Sequence, residues 1–219
     1  MGSMLEQELD RRTNGGTPSL AVGIVINNID AIAEGKIQVR VPSTGLTLWA
    51  RLVATGAGDG AGFFYMPRVD DEVLLAFAAN DPTDAFVLGG LWNMRDRIPV
   101  SDPFSALTTR VIKSGVAAGQ GQEIEFDDLI QSVTITTVTG QKIKLDPDVI
   151  ELTNIAGTLS ISMSNSSQSI SIRSAGTISL EATEIKLKAA ASVSIDARVS
   201  ASVSAAGTAS VKGSLVTIN

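Results

Sequence analysis

The segment AAASVSIDARVSASVSA, residues 189–205, decides the fold of the carboxyl-terminal part of this chain. From residue 185 to residue 205, every odd-numbered position is Ile, Leu, Val or Ala, and most even-numbered positions are polar. A period of two is typical of a β-strand that buries one face. Because strands in globular domains usually contain about 3–10 residues, a strand of this length needs an unusually long partner surface.

Three copies of this strand, wound around a common axis, would bury the apolar face in a shared core. Each buried aliphatic side chain contributes about 1.5–3 kcal/mol, and a lone strand would obtain almost none of this. A single-chain solenoid is the alternative, but with about 20–25 residues per coil the last seventy residues allow only about three coils. We therefore expect an intertwined homotrimer. Its predicted core consists of Ile185, Leu187, Val193, Ile195, Val199 and Val203.

The composition argues against several classes of function. The chain has no Cys and no His, which removes disulfide frameworks, thiolate metal sites and His-based catalytic triads. Its net charge is -6 and its sequence pI is about 4.7, which disfavours nucleic acids and anionic membranes as partners. No signal peptide is visible, and the longest apolar run, Val73–Ala79, is far too short to span a bilayer. We expect no catalytic, cofactor or metal site and no enzymatic activity.

A change in composition divides the chain. All nine aromatic residues lie at or before Phe126, and Ser, Thr, Ala, Val and Ile dominate the remainder. Such a shift predicts a domain boundary. The predicted parts are a flexible amino-terminal arm (1–17), a barrel domain (18–97), a linker or neck (98–122) and a β-helical spike (123–219).

Short β-strands with turn residues between them fill the aromatic part. The predicted strands lie in LAVGIVIN (20–27), KIQVRVP (36–42), TLWARLVA (47–54), FFYMPRVDDEVLLAFAAN (63–80) and DAFVLGGLWN (84–93). About five closely spaced strands without a helical period predict a small β-barrel. After the linker, EIEFDD, SVTITTVTG, QKIKLD and VIELTN predict four further short strands.

Two polar features invite a chemical interpretation. The Gly-rich stretch 56–62 could be a phosphate loop, but it lacks a Lys-Ser/Thr pair, and the strand-like residues Phe63–Tyr65 follow it, so a plain loop is favoured. The acidic groups at 70–72 and 127–128 could form a carboxylate pair or a calcium site. Acidic residues at strand ends are more often solvated turns.

Two tryptophans, Trp49 and Trp92, could form a platform for a carbohydrate. Large aromatic side chains more often bury their area in a core or against a neighbouring subunit. We therefore favour packing over ligand binding at both positions.

The stretch from Gly35 to Asn93 resembles the OB-fold domain of phage baseplate assembly protein V and of VgrG-type spikes. The motifs that carry this resemblance are, in order, Gly35-Lys36, Trp49-Ala50-Arg51, the Gly-rich stretch, Phe63-Phe64, Pro67, Asp71-Glu72-Val73, Asp81-Pro82 and Gly89 to Asn93. The resemblance implies an all-β protein with an N-terminal OB-fold barrel followed by an intertwined trimeric β-helix needle.

The resemblance also implies a function. It is that of the structural central spike of a contractile injection machine, such as a phage tail baseplate, a type VI-like system or an extracellular injection system. The homotrimer would dock on a separate trimeric hub protein at its N-terminal end, since fewer than twenty residues precede the barrel. A PAAR-type tip protein would cap its blunt C-terminal end. The implied tip-docking residues are Ser214, Leu215, Val216, Thr217, Ile218 and Asn219.

The same resemblance implies where the protein acts. It would be made in the cytoplasm, assembled into the baseplate of a phage or phage-tail-like particle, and delivered to the target cell envelope without stable membrane insertion. Some relatives carry a lysozyme domain between barrel and needle, but the interval from Asn93 to Glu123 is too short for one. Some spikes end in a His-x-His iron site, which a chain without His cannot form.

A carbohydrate-binding or depolymerising β-helix, of the tail-fibre or adhesin kind, is the alternative. That class of protein would be expected to carry aromatic residues and clustered carboxylates along the helix. The predicted spike has no aromatic residue after Phe126, and its acidic residues are scattered. The sequence therefore favours the spike.

Overall fold

The computed structural model describes residues 20–78, 81, 83–115 and 120–217 of the chain. The chain divides into two compact units, Met1–Ala175 and Gly176–Asn219. A closed barrel and an open seven-stranded sheet lie in the first unit. The predicted amino-terminal arm, residues 1–17, lies outside the described residues.

Seven strands belong to the barrel region. In chain order they are β1 (Leu20–Asn27), β2 (Lys36–Arg40), β3 (Thr47–Leu52), β4 (Ala57–Gly58), β5 (Ala61–Gly62), β6 (Glu72–Phe77) and β7 (Ala85–Gly90). The barrel closes in the order β1, β2, β3, β7, β6, and the β3–β7 pair is its parallel pair. This order confirms the predicted all-β architecture with an amino-terminal OB-type barrel. A short 3₁₀ turn, Ile32–Glu34, connects β1 to β2.

The barrel has a core of its own because apolar residues alternate along its strands. Val25, Ile37 and Leu75 are completely buried. Among the residues that the structure describes, every buried hydrophobic side chain belongs to this one cluster: Val25, Ile37, Val39, Val41, Ala50, Val73, Leu75, Phe77, Ala85 and Val87. Gly23 faces the same interior, where a Cβ atom would lie 2.3 Å from Val39 Cγ1.

Two predictions within the barrel region were wrong in detail. Phe63–Tyr65 is not a strand, because no neighbouring strand pairs with it. Instead, the rings of Phe63 and Tyr65 stack with centroids 6.4 Å apart, and the Tyr65 hydroxyl donates to the Lys113 carbonyl. The Gly-rich stretch, predicted as a plain loop, contains the small hairpin of β4 and β5.

Neither tryptophan packs in the barrel core. Trp49 is half-buried on β3 beside the fully buried Ala50, and alternation along the strand directs it away from the interior. Trp92 follows β7 and is 70% exposed. The core-packing interpretation is therefore corrected, and contact with a neighbouring subunit stays a prediction.

The second sheet, here called the meander, consists of seven strands. They are β8 (Thr109–Lys113), β9 (Glu123–Asp127), β10 (Ser132–Thr136), β11 (Lys142–Leu145), β12 (Val149–Thr153), β13 (Leu159–Ser164) and β14 (Ser169–Ser174). Each strand pairs antiparallel with the next one along the chain. The four strands predicted between residues 123 and 154 are confirmed. The segment 98–122, predicted as a linker or neck, contains the short helix α1 (Ser105–Thr108) and the strand β8.

The carboxyl-terminal unit, unlike the first unit, contains no strand among its described residues. No strand occurs between residues 176 and 217, although the alternation from residue 185 to residue 205 is strict. A β-strand needs a second strand to satisfy its backbone hydrogen-bonding groups, and a single copy of this chain pairs no strand with this segment. The expected three-stranded needle involves two further copies and stays a prediction.

Candidate functional site

The pairing register of the meander brings its apolar residues onto one face. Directly opposed residues of antiparallel strands point to the same side of a sheet, so continuous cross-strand pairs form a row. The first row runs through Ile112, Ile124, Ile135, Ile143, Leu152, Ile161 and Ile172. The second row runs through Phe126, Val133, Leu145, Ile150, Met163 and Ile170. We call these two rows the apolar face of the meander.

Burial on the meander is the reverse of that in a globular sheet. On β11, Ile143 and Leu145 are exposed, whereas Lys142 and Lys144 between them are partly buried. Burial follows the same pattern on β13, where the serines are partly buried and the apolar residues are exposed. Among the described residues of the meander, no hydrophobic side chain is buried. Among the described residues of the first compact unit, none therefore buries the apolar face.

A shallow groove follows the first row. Ile135, Ile143, Leu152, Ile161 and Ile172 form its floor, and polar residues such as Thr137, Asn154 and Arg173 border it. The groove is open rather than enclosed and is mainly aliphatic. Such a surface suits the packing of another protein surface better than the binding of a small polar ligand.

The opposite face of the meander is polar. Its central pairs include Thr134 with Lys144, and Lys144 with Glu151. Lys113 forms an ion pair with Glu123 across β8 and β9 at 2.5 Å. Most side chains of this face are partly buried, and Ser132 is buried.

Side chains in the turns hold the register of the meander. Asp127 Oδ1 accepts hydrogen bonds from the backbone N–H groups of Leu129 and Ile130. In the turn between β11 and β12, the Asp146 carboxylate accepts hydrogen bonds from the backbone N–H groups of Asp148 and Val149. The same carboxylate forms an ion pair with Lys144 Nζ at 2.7 Å. The Lys144 hydrogen bond, followed by these two backbone groups, lowers the pKa of Asp146 from 3.8 to about 2. The turn is thus stabilised by a carboxylate that is charged at neutral pH.

The predicted core of the needle is exposed in a single chain. Val199 is 96% exposed and Val203 is 91% exposed. The other four predicted core residues, Ile185, Leu187, Val193 and Ile195, are each more than half exposed. In one copy these six residues share only their regular spacing in the sequence. Their role in a shared core remains a prediction.

The predicted tip-docking residues are described in part. Ser214, Leu215, Val216 and Thr217 are exposed. Ile218 and Asn219 lie outside the described residues. Whether this segment docks a tip protein is a prediction.

Of the acidic groups, Asp71 and Asp127 hold turns, whereas Glu72 on β6 bonds the side chain of Asn93. Asp71 Oδ2 accepts from the Arg68 N–H at 2.8 Å, and Glu72 Oε2 accepts from Asn93 Nδ2 at 2.7 Å. Asp127 forms the turn described above. In the part of the chain that the structure describes, no three His, Cys, Asp or Glu side chains are grouped so that they could hold a metal ion. The described helices also include none with the length and hydropathy that crossing a membrane requires.

The barrel strands, their closed order and their core define the region that can be compared with known proteins. Residues 21–92 match the family model of the type VI secretion system/phage-baseplate injector OB domain. The match begins at the second residue of β1 and ends two residues after β7, so it covers nearly all of the barrel. It supports the resemblance found in the sequence and associates this chain with a structural role related to the baseplate spike. It also points to assembly into a phage or injection particle.

The apolar face of the meander was not among the predicted site residues. Alternation in QKIKLD and VIELTN indicates which residues share a face within each strand. It does not indicate that seven consecutive strands pair in one register. That information could have come only from treating each turn as a two-strand hairpin and aligning the apolar positions across all of them.

Proposed function

We propose that this protein is the central spike of a contractile injection machine and acts as a homotrimer. The observation that carries the proposal is the combination of an injector OB barrel at residues 21–92 with a long alternating segment whose large apolar residues stay exposed in one copy. Exposed apolar rows of this length are rare on monomeric soluble proteins. A trimer would bury them.

The mechanism is mechanical. When a sheath contracts, the spike transmits axial force, so it must resist bending and shear. An intertwined bundle of strands resists shear because many backbone hydrogen bonds have to break together. A closed bundle also leaves no free strand edge. No covalent bond is made or broken in this role.

Two partners belong to this proposal. A separate trimeric hub would hold the injector OB barrel at the N-terminal end, and a PAAR-type tip protein would sit on residues 214–219. The support for the tip protein is the exposed apolar pair Leu215 and Val216 among these residues. The spike, with its tip, would then be pushed through the target envelope.

The mass of the purified chain in solution tests the proposal. Light scattering behind a sizing column should give about three times 22.7 kDa, with the early elution of an elongated particle. A monomer across the micromolar range would reject the trimeric spike. Binding or turnover on a polysaccharide panel would favour the alternative, a carbohydrate-binding or depolymerising β-helix.

A further inference from the structure

We infer that a polar pocket on the outside of the injector OB barrel binds an uncharged sugar ring of a glycan. The pocket lies where β2, β3 and the start of β7 meet, and it is lined by Lys36, Trp49, Arg51, Thr83, Asp84 and Ala85. We call it the barrel pocket. Its volume of about 370 Å³ lies near the lower end of the range of about 300–1,000 Å³ that small-molecule sites occupy. The inference goes beyond the proposed function and does not rest on the trimer.

The strand register places the lining side chains on the outer surface of the barrel. Ala50 of β3 is completely buried in the core, so its two neighbours on the strand, Trp49 and Arg51, point outward. Lys36 of β2 lies directly opposite Arg51 and shares this outward side. Asp84 directly precedes β7, the parallel partner of β3. The pocket is therefore built from three paired strands of a closed barrel, which is a rigid frame for a binding site.

Contacts within the chain already orient the charged groups of the pocket. Arg51 Nη2 forms an ion pair with Asp84 Oδ1 at 2.7 Å, and Arg51 Cζ lies 4.3 Å from the centroid of the Phe86 ring. Lys36 Nζ forms an ion pair with Glu34 Oε2 at 2.6 Å. Each of the two cations that line the pocket is thus balanced by a carboxylate. The pocket offers oriented hydrogen-bonding groups without an excess of either charge.

This combination of groups matches the chemistry of a sugar ring. A guanidinium group and a carboxylate side by side supply donors next to acceptors, and each sugar hydroxyl can both donate and accept. Trp49 is half-buried and adds an aromatic surface to the same pocket. The electron-rich face of an aromatic ring attracts the C–H groups on the apolar face of a pyranose. One sugar ring therefore satisfies both the polar and the aromatic side of the pocket.

The balanced charge argues against an anionic ligand. The carboxylates of Asp84 and Glu34 would repel a phosphate, and the cations beside them are already paired. An aliphatic ligand is also disfavoured, because it would take water from these polar groups without replacing its hydrogen bonds. An uncharged sugar avoids both costs.

The two tryptophans of the chain make a direct test possible. The full-length Trp92→Phe chain retains Trp49 in the pocket, whereas the Trp49→Phe chain retains Trp92, which does not line the pocket. Tryptophan emission of both chains is measured during titration with cellohexaose, maltohexaose and chitohexaose. We expect a saturable change with at least one of these sugars in the Trp92→Phe chain and none in the Trp49→Phe chain. No change in either chain, as when a neighbouring copy covers Trp49, would overturn the inference, and so would equal changes in both.

A carboxylate substitution in the Trp92→Phe chain supplies a second measurement. Asp84→Asn should weaken sugar binding at least about tenfold, because hydrogen bonds to a charged acceptor are the stronger ones. The chain should still fold, since the ion pair that is lost is solvent-exposed. Asp59→Asn removes a carboxylate from the β4–β5 turn, outside the pocket, and should leave the affinity unchanged. Equal affinities for the two variants would contradict the inference.

Two further probes separate the sugar from other ligands and from the alternative function. Inorganic phosphate and a thymidine hexanucleotide should leave the emission of Trp49 unchanged, and tighter binding of either than of the sugars would overturn the inference. The carbohydrate-binding alternative places its ligand on the β-helix, and residues 123–219 contain no Trp. A sugar that binds without changing the emission of Trp49 would therefore overturn the inference and favour that alternative.

Discussion

Ile143 of β11 lies directly opposite Leu152 of β12, and both side chains are exposed although they are the aliphatic members of their strands. In a globular sheet such a pair would be the buried one, with the flanking Lys142 and Lys144 in solvent. Here the aliphatic side chain is exposed and the two flanking lysines are partly buried. The meander is therefore a sheet whose consecutive strands are paired while its apolar face stays exposed in one copy.

Ile195→Asp should prevent formation of the trimer. In the proposed needle three carboxylates would meet near the axis without partners, at a high desolvation cost. Ser194→Asp adds the same charge to the solvent side of the same segment and serves as the matched control. The measurement is the mass of each purified chain by light scattering, and Val193→Asp should behave as Ile195→Asp does. A trimeric Ile195→Asp chain would show that the core residues are assigned wrongly.

Removal of residues 215–219 should leave the trimer intact and abolish binding of a PAAR-type tip protein. The deletion lies downstream of all six predicted core residues. The shortened and full-length chains are compared in a pull-down with the tip protein, and their masses are compared by light scattering. Undiminished capture by the shortened trimer would place the docking surface elsewhere.

Gly23→Ala should destabilise the barrel by about 1–3 kcal/mol, the usual effect of overpacking a core. The added Cβ would lie 2.3 Å from Val39 Cγ1 and 2.9 Å from Leu75 Cδ1, so the core must shift to accept it. Gly89→Ala is the control, since an added Cβ there meets no atom within 4 Å. Denaturant unfolding followed by tryptophan fluorescence gives both free energies. Identical midpoints for the two variants would refute the close approach at Gly23.

Asp146→Asn should remove a pH-dependent part of the stability of the meander. The pKa of Asp146 is lowered to about 2 from 3.8, so its contribution is complete above about pH 4 and is lost as the pH falls through 2. The melting temperatures of the native and Asp146→Asn chains should therefore differ at pH 6 and converge towards pH 2. Asp59→Asn, which removes a carboxylate from the β4–β5 turn, is the control. A difference that stays constant from pH 6 to pH 2 would contradict the assignment.

The fold could be predicted from the sequence wherever the relevant information is local. Alternation identified β2 of the barrel and four strands of the meander, because a period of two reports the two faces of a strand. The motif order from Gly35 to Asn93 indicated the injector OB domain, and the family match supports it. Phe63–Tyr65 was misassigned because aromatic residues favour strands only where a neighbouring strand can pair with them.

The sequence by itself determined which residues share a face within each strand, and it separated an aromatic barrel from an aliphatic, Ser-rich continuation. Only the tertiary structure decided which strands pair and in which register. It closed the barrel through the β3–β7 pair and aligned Ile112 with Ile172, sixty residues later, in one row. The physical reason is that alternation is a property of neighbouring residues, whereas register depends on distant ones, and a slip of one residue would have turned every apolar side chain to the polar face.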